Sequence, residues 1–270
     1  MEITEQAIHL LAKVATEVQT RFTDFSDLAH GWEHVNRVYH LAMSLAEQEH
    51  ADGLIVGVAA LLHDLGRTTR GPARSHAERS AKLAAKLLAP YDLPPETQHA
   101  IRHAILAHGY RHGIEPATLE ARVLYDADRL DSLGACGVMR WAMTTKRGRW
   151  PETATYHPDD PFALWRNPDG QHYLLDRFFT KLLQLPDAMT TEIGRAVAER
   201  RIAFLRLYLQ KLQQELAEGG YGYDMPEEVT YRLLWDEKRA EEQKQEQPAE
   251  EPQRGRIVAI HRIYDEQHLA

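Results

Sequence analysis

Leu54-Ile55-Val56-Gly57-Val58-Ala59-Ala60-Leu61-Leu62-His63-Asp64 is the stretch on which the fold turns. The residues before the doublet offer water no polar side chain, so the segment is buried. Apolarity on almost every face suits a central helix in an all-α protein. The run then ends in an imidazole beside a carboxylate. Burying such a pair is costly unless something compensates it, and a bound metal is the compensation that uses both groups.

The flanking segments extend the helical reading. Upstream, His34 lies four residues before Val38, on the stripe of Val38, Leu41 and Leu45, and so faces the core. An N-terminal helix is written by Ile3, Ala7, Leu10, Leu11, Val14 and Val18. Downstream, Ser75-His76-Ala77-Glu78 is a capping box that opens a helix carrying Ala81, Ala84, Leu87 and Leu88. Pro94-Pro95 starts another, with Ile101, Ala104, Ile105 and His108 on one face; a third aligns Leu124, Asp128 and Asp131. Residues 144–172 break the pattern with Pro151, Pro158, Pro161 and Pro168, which predicts an irregular, lid-like insertion. Helical spacing returns over Tyr173 to Leu185, and a long helix is expected from Pro186-Asp187 to Gly219-Gly220. Residues 237–254 are Glu, Gln, Lys and Arg-rich and read as a solvated helix or linker. Ile257-Val258-Ala259-Ile260 is apolar again and suits docking on the body or on another copy of the chain. No alternating strand pattern of convincing length appears.

Composition bounds the function. The 270 residues are 43% hydrophobic and 27% charged, with net charge −8, which argues against wholesale nucleic-acid binding. No run approaches the ~20 apolar residues of a membrane span. The acidic start Met1-Glu2-Ile3-Thr4-Glu5 is unlike a signal peptide, and a single cysteine, Cys136, permits no intrachain disulfide; a cytoplasmic protein is expected. Cys136, between Ala135 and Gly137, reads as a small packing residue.

His34, His63, Asp64 and Asp128 form a mixed nitrogen and oxygen set. Such a set suits Mn, Fe, Co, Ni or Zn better than Ca, with Mg also allowed. Glu33-His34-Val35-Asn36-Arg37-Val38, Leu61-Leu62-His63-Asp64-Leu65-Gly66-Arg67 and Asp126-Ala127-Asp128-Arg129-Leu130-Asp131 resemble the HD superfamily of metal-dependent phosphohydrolases, in a small bacterial branch. The resemblance extends through Phe178-Phe179-Thr180-Lys181 and Arg201-Ile202-Ala203-Phe204-Leu205, from about Glu2 to Glu218. It implies an HD-type helical bundle over 1–218, with 219–270 as a charged C-terminal extension. It also implies metal binding by His34, His63, Asp64 and Asp128, and hydrolysis of a phosphate ester or anhydride, most simply of a nucleotide. Some members hold a second metal on two intervening histidines, for which His76 and His108 are the candidates here. With one metal, the same pair would touch the phosphate or the leaving group, and that arrangement is favoured. At the first turn of its helix, His76 is expected to be neutral. Asp131, one turn after Asp128, is positioned to orient a ligand histidine. Leu65-Gly66-Arg67-Thr68 lacks the glutamate that some nucleotide-cleaving members carry after the doublet.

The loop Gly66-Arg67-Thr68-Thr69-Arg70-Gly71-Pro72-Ala73-Arg74 contains three arginines and no acid. Arg67, Arg70 and Arg74, with Arg37 and Lys181, are candidate phosphate-binding cations, since the guanidinium fork matches phosphate oxygens. Arg140-Trp141-Ala142-Met143-Thr144-Thr145-Lys146-Arg147-Gly148-Arg149-Trp150 mixes cations with aromatics, but packing by its tryptophans explains it better than nucleic-acid contact. Two other functions fit the same residues: an HD-type module that senses a nucleotide without turnover, and a dinuclear iron oxygenase. The intact ligand set favours the hydrolase.

Overall fold

The computed structural model describes residues 4–70, 75–109, 113–144 and 154–221. Its helices are α1 (Glu5–Phe22), α2 (Trp32–Glu49), α3 (Gly53–Leu62), α4 (His76–Leu88), α5 (Pro95–Ala107), α6 (Leu119–Leu130), α7 (Gly134–Thr144), α8 (Asp176–Thr180) and α9 (Glu192–Glu218). Short 3-10 turns cover Leu65–Arg67 and Leu182–Ala188. Among the described residues there is no strand, only an isolated bridge between Ala154 and Tyr173.

The apolar run becomes α3, opened by the Asp52 carboxylate, which accepts from the amides of Leu54 and Ile55 at 2.9 and 3.2 Å. α3 packs against α1, α2, α5 and α6, and Val56 and Val58 through Leu62 are fully buried. A helix surrounded in this way delivers the residues at its C-terminal end to the middle of the protein. α3 stops at Leu62, and Asp64 adopts φ −105°, ψ 4°, outside the helical basin.

The next turn is clamped to α4. Gly66 N–H donates to Ser80 Oγ at 2.8 Å, and Arg79 Nε donates to Gly66 O at 2.8 Å. A Cβ at residue 66 would stand 2.3 Å from His76 O, so only glycine permits this approach. The capping box forms, with Ser75 Oγ accepting from Glu78 N at 3.1 Å, and His76 is thereby delivered beside the doublet.

Three sequence expectations change. Tyr173 to Leu185 is not one helix: α8 ends at Thr180, and the following 3-10 turn contains Pro186. α9 starts at Glu192, not at Pro186-Asp187, because Thr191 is its cap and accepts from Gly194 N at 3.1 Å. Cys136 is exposed rather than packed inside. Of the predicted insertion, 154–172 is irregular as expected, and its Arg166 is paired with Asp176. Arg74, residues 145–153 and the extension beyond residue 221 lie outside the described residues.

Asp126 ties α6 to the start of α9. Its carboxylate accepts from the amides of Thr190 and Thr191 at 2.9 and 2.8 Å and from both threonine hydroxyls at 2.9 and 2.7 Å. Gly194 is needed here, since a Cβ would lie 2.4 Å from Asp126 Oδ2. Asp126→Ala is therefore expected to destabilise the fold by ~3–5 kcal/mol, because four donors lose their acceptor. Chemical denaturation measures this, and a loss under about 1 kcal/mol would mean water replaces the carboxylate without penalty.

Candidate metal centre

Three segments bring His34 (α2), His63 and Asp64 (after α3) and Asp128 (α6) together. His34 Nε2 lies 3.3 Å from His63 Nε2, 3.6 Å from Asp64 Oδ2 and 3.4 Å from Asp128 Oδ1. His63 Nε2 lies 3.7 Å from Asp64 Oδ2 and 4.0 Å from Asp128 Oδ1. The other nitrogen of each ring is already engaged. His63 Nδ1 is 2.7 Å from Ala60 O, and a carbonyl only accepts, so Nδ1 carries the proton. His34 Nδ1 is 2.8 Å from Asp131 Oδ2 and donates in the same way. Two bare Nε2 lone pairs and two carboxylates thus converge on one point with no donor among them. A metal cation satisfies that arrangement, as does a proton on His34 Nε2 facing Asp128.

A second cluster shares Asp64. Its Oδ1 lies 3.3 Å from His76 Nε2 and 3.7 Å from His108 Nε2, and these two nitrogens are 3.1 Å apart. His108 Nδ1 donates to Ile105 O at 2.6 Å, so its Nε2 is also bare. No carbonyl or carboxylate among the described residues holds Nδ1 of His76. Asp64 Oδ1 is buried without a hydrogen bond, an orphaned acceptor that also fits a cation nearby.

The electrostatics follow from burial and neighbours. Burial lowers the His63 pKa to about 4, so the ring is neutral and able to ligate. Burial also dominates at His76, which Arg67 lowers further, to about 3. The expected neutrality holds, but desolvation is its main cause. Burial disfavours the Asp64 carboxylate, yet Arg67 and the surrounding imidazoles hold it well below the usual range. For His34, burial and Arg140 oppose the proton, but hydrogen bonds to Asp128 and Asp131 outweigh them and raise its pKa.

Residues 31–133 match the HD domain family. Over 208 residues the chain is 31% identical to YpgQ of Bacillus subtilis (strain 168), covering 76% of this chain and 92% of that protein. The chain belongs to the HD domain family. The crystal structure of YpgQ in complex with ADP is similar at TM-score 0.60 and 30% identity, over 77% of this chain and 96% of that one. An HD-superfamily hydrolase from Bacillus thuringiensis is similar at TM-score 0.59 and 26% identity, over 78% and 97% of the two chains. HD domains bind divalent metals, and the two His/Asp clusters here have the composition to do so.

Around the HD doublet, the predicted cations separate into groups. Arg37 is committed to Asp131, with Nε and Nη2 at 2.7 and 3.1 Å. Arg67 Nε stands 2.7 Å from Asp64 Oδ2. Arg70 is exposed, and exposed Lys181 lies 5.3 Å from the centre of the Trp141 ring. Two neighbours of the site escaped the sequence reading. Arg140, buried on α7, reaches Asp131 Oδ2 at 3.1 Å, and its Nε donates to Ala29 O at 2.9 Å. The His30 ring stacks edgewise on His34 at 5.8 Å and is held by Asp27 Oδ2 at 3.0 Å. Arg140 was read only as part of the cationic, aromatic stretch 140–150, and His30 in its loop gave no signal.

Asp131 thus holds the His34 ring against two guanidinium groups. Asp131→Asn keeps the shape and removes the charge, and is expected to weaken metal binding by roughly 10- to 100-fold. A metal titration below the thermal transition tests this; unchanged affinity would reduce Asp131 to packing.

Metal uptake is also expected to release protons. The raised His34 pKa means that, below it, the empty centre holds a proton that a cation must displace. Affinity should therefore fall as pH drops through that value and level off above it. Calorimetry in buffers of different ionisation enthalpy reads the proton count, and an affinity constant from about pH 5.5 to 8 would contradict the expectation.

Proposed function

We propose that this chain is a metal-dependent phosphohydrolase that cleaves a phosphate ester or anhydride of a nucleotide, with His34, His63, Asp64 and Asp128 as metal ligands. The observation that carries the reading is the convergence of two bare imidazole nitrogens and two carboxylates without a donor. Kinship with HD-superfamily hydrolases, and the ADP bound by YpgQ, support the reaction class and a nucleotide substrate.

A divalent ion on this set would polarise a phosphoryl oxygen and lower the pKa of a bound water. The chain's own groups supply the rest. Side-chain exposure divides them into a floor and a mouth: His34, His63 and His108 are at most 2% exposed, whereas His30, Arg67, His76 and Asp128 are exposed by 26, 28, 24 and 26%. A phosphate entering from solvent meets that mouth first. Arg67 meets its negative charge. His76 is uncharged at neutral pH, so it acts as a hydrogen-bonding imidazole, able to accept from the attacking water or donate to a phosphoryl oxygen. His108, with Nδ1 fixed on Ile105 O, keeps His76 in place from below. Buried ligands exclude bulk water from the back of the site, which strengthens each electrostatic contact.

The reading is tested by phosphate and pyrophosphate release from a panel of nucleotides with Mn, Co, Ni, Zn, Fe and Mg. Release that needs a divalent ion and vanishes in Asp64→Asn is expected, while His108→Ala should keep its metal and lose roughly 10²- to 10⁴-fold in kcat. Tight nucleotide binding with no release under any metal would replace the enzyme by a nucleotide-sensing module.

A further inference from the structure

Asp64 presents one oxygen to each of two clusters, so the donor atoms alone would accommodate two ions. Charge does not. Resting on the proposed metal centre, we propose that the Arg67 guanidinium is a built-in cation that limits this centre to a single metal ion, by standing where the charge of a second ion would have to be neutralised. Arg67 Nε lies 2.7 Å from Asp64 Oδ2, the oxygen on the first-cluster side, and its Nη2 lies 3.4 Å from His76 Nε2, so the guanidinium sits against the shared carboxylate and against one histidine of the second cluster.

Arg67 is held there by the backbone. It ends the Leu65–Arg67 turn, which the Gly66 contacts pin to α4. Its Nε is buried against the Asp64 carboxylate as a close ion pair. Among the described residues, Asp64 and Asp128 face the two clusters, Asp27 acts on Arg67 from beside His30, and Asp131 is taken up by Arg37 and Arg140. With Arg67 and one divalent ion, Asp27, Asp64 and Asp128 balance the positive charge. A second divalent ion would leave an excess of two in a partly buried site, where like charges repel strongly.

Imidazole tautomers point the same way. In the first cluster both rings are locked with Nε2 bare by acceptors on Nδ1. In the second, among the described residues, only His108 has Nδ1 held by an acceptor. The second cluster lacks both the charge and the fixed donors of the first. His76, backed by His108, is left free for the phosphate instead.

The test counts manganese bound to the full chain after desalting, by elemental analysis and by electron paramagnetic resonance. The parent should hold one ion with the spectrum of an isolated centre. Arg67→Met should hold two, with an exchange-coupled spectrum because Asp64 bridges them, and Arg67→Lys should stay at one. Adding His76→Ala to Arg67→Met should return the count to one. A second ion is a gain that damage to the fold would not produce, and Arg67→Gln serves as the neutral variant if the methionine does not fold. The inference is overturned if a folded neutral variant stays at one ion, if the parent or Arg67→Lys holds two, or if the second ion survives loss of His76. A parent with no bound ion brings down the metal reading itself, and the inference with it.

Discussion

The structure depends on keeping the Asp64 carboxylate ionised in the middle of an apolar core. A buried carboxylate is stable only if charges and donors surround it. Here the surroundings are Arg67 and four imidazoles from α2, α3, α4 and the end of α5. Each helix thus brings a group that the others need. α3 can be wholly apolar because its one costly group lies just beyond its end, where the chain has left the helical basin. The tight contact at Gly66 and the capping box at Ser75 then hold His76 to Asp64. Local backbone chemistry sets the geometry of the centre as much as the ligands do.

A second charged layer sits behind the first. Asp131 receives the His34 ring and the forks of Arg37 and Arg140 from α2 and α7. Breaking such a network leaves uncompensated buried charge, which costs more than the pairing itself stabilises. The network therefore fixes the His34 ring orientation at a stability cost for any change. It also explains why Arg37 is a poor candidate for substrate contact: the donors that would clamp a phosphate face Asp131.

Much of this was legible in the sequence. The all-apolar run gave α3, the capping box gave α4, Pro94-Pro95 gave the start of α5, and the helical registers of His34, Asp128 and Asp131 put them on inward faces. Registers within a helix are local, and so they can be read. What crosses between helices cannot. Arg140 and His30 join the centre only through tertiary packing, and Asp126, from the same segment as Asp128, turns out to anchor α9 on Thr190 and Thr191. Pro186 misled because a proline can sit inside a 3-10 turn as well as at a helix start, while the working cap, Thr191, came five residues later. Cys136 looked like packing because its neighbours are small, yet it faces the groove of Arg37, His40 and Arg201.

The two clusters also divide the labour of the site by how firmly each ring is held. Where Nδ1 is tied to an acceptor, as in His34, His63 and His108, the imidazole has one tautomer and one orientation, which is what a ligand or a support requires. Among the described residues nothing ties Nδ1 of His76, which stands at the mouth. Held only at Nε2, by Arg67 and His108, such a ring is less firmly fixed than the other three and, on the proposed reading, suits a phosphate that arrives, reacts and leaves. Arg67 beside it carries fixed positive charge that neither titrates nor dissociates near neutral pH. On the proposed reading, a firmly held floor for the ion and a cationic mouth for the anion are therefore built from the same few residues, with Asp64 facing both.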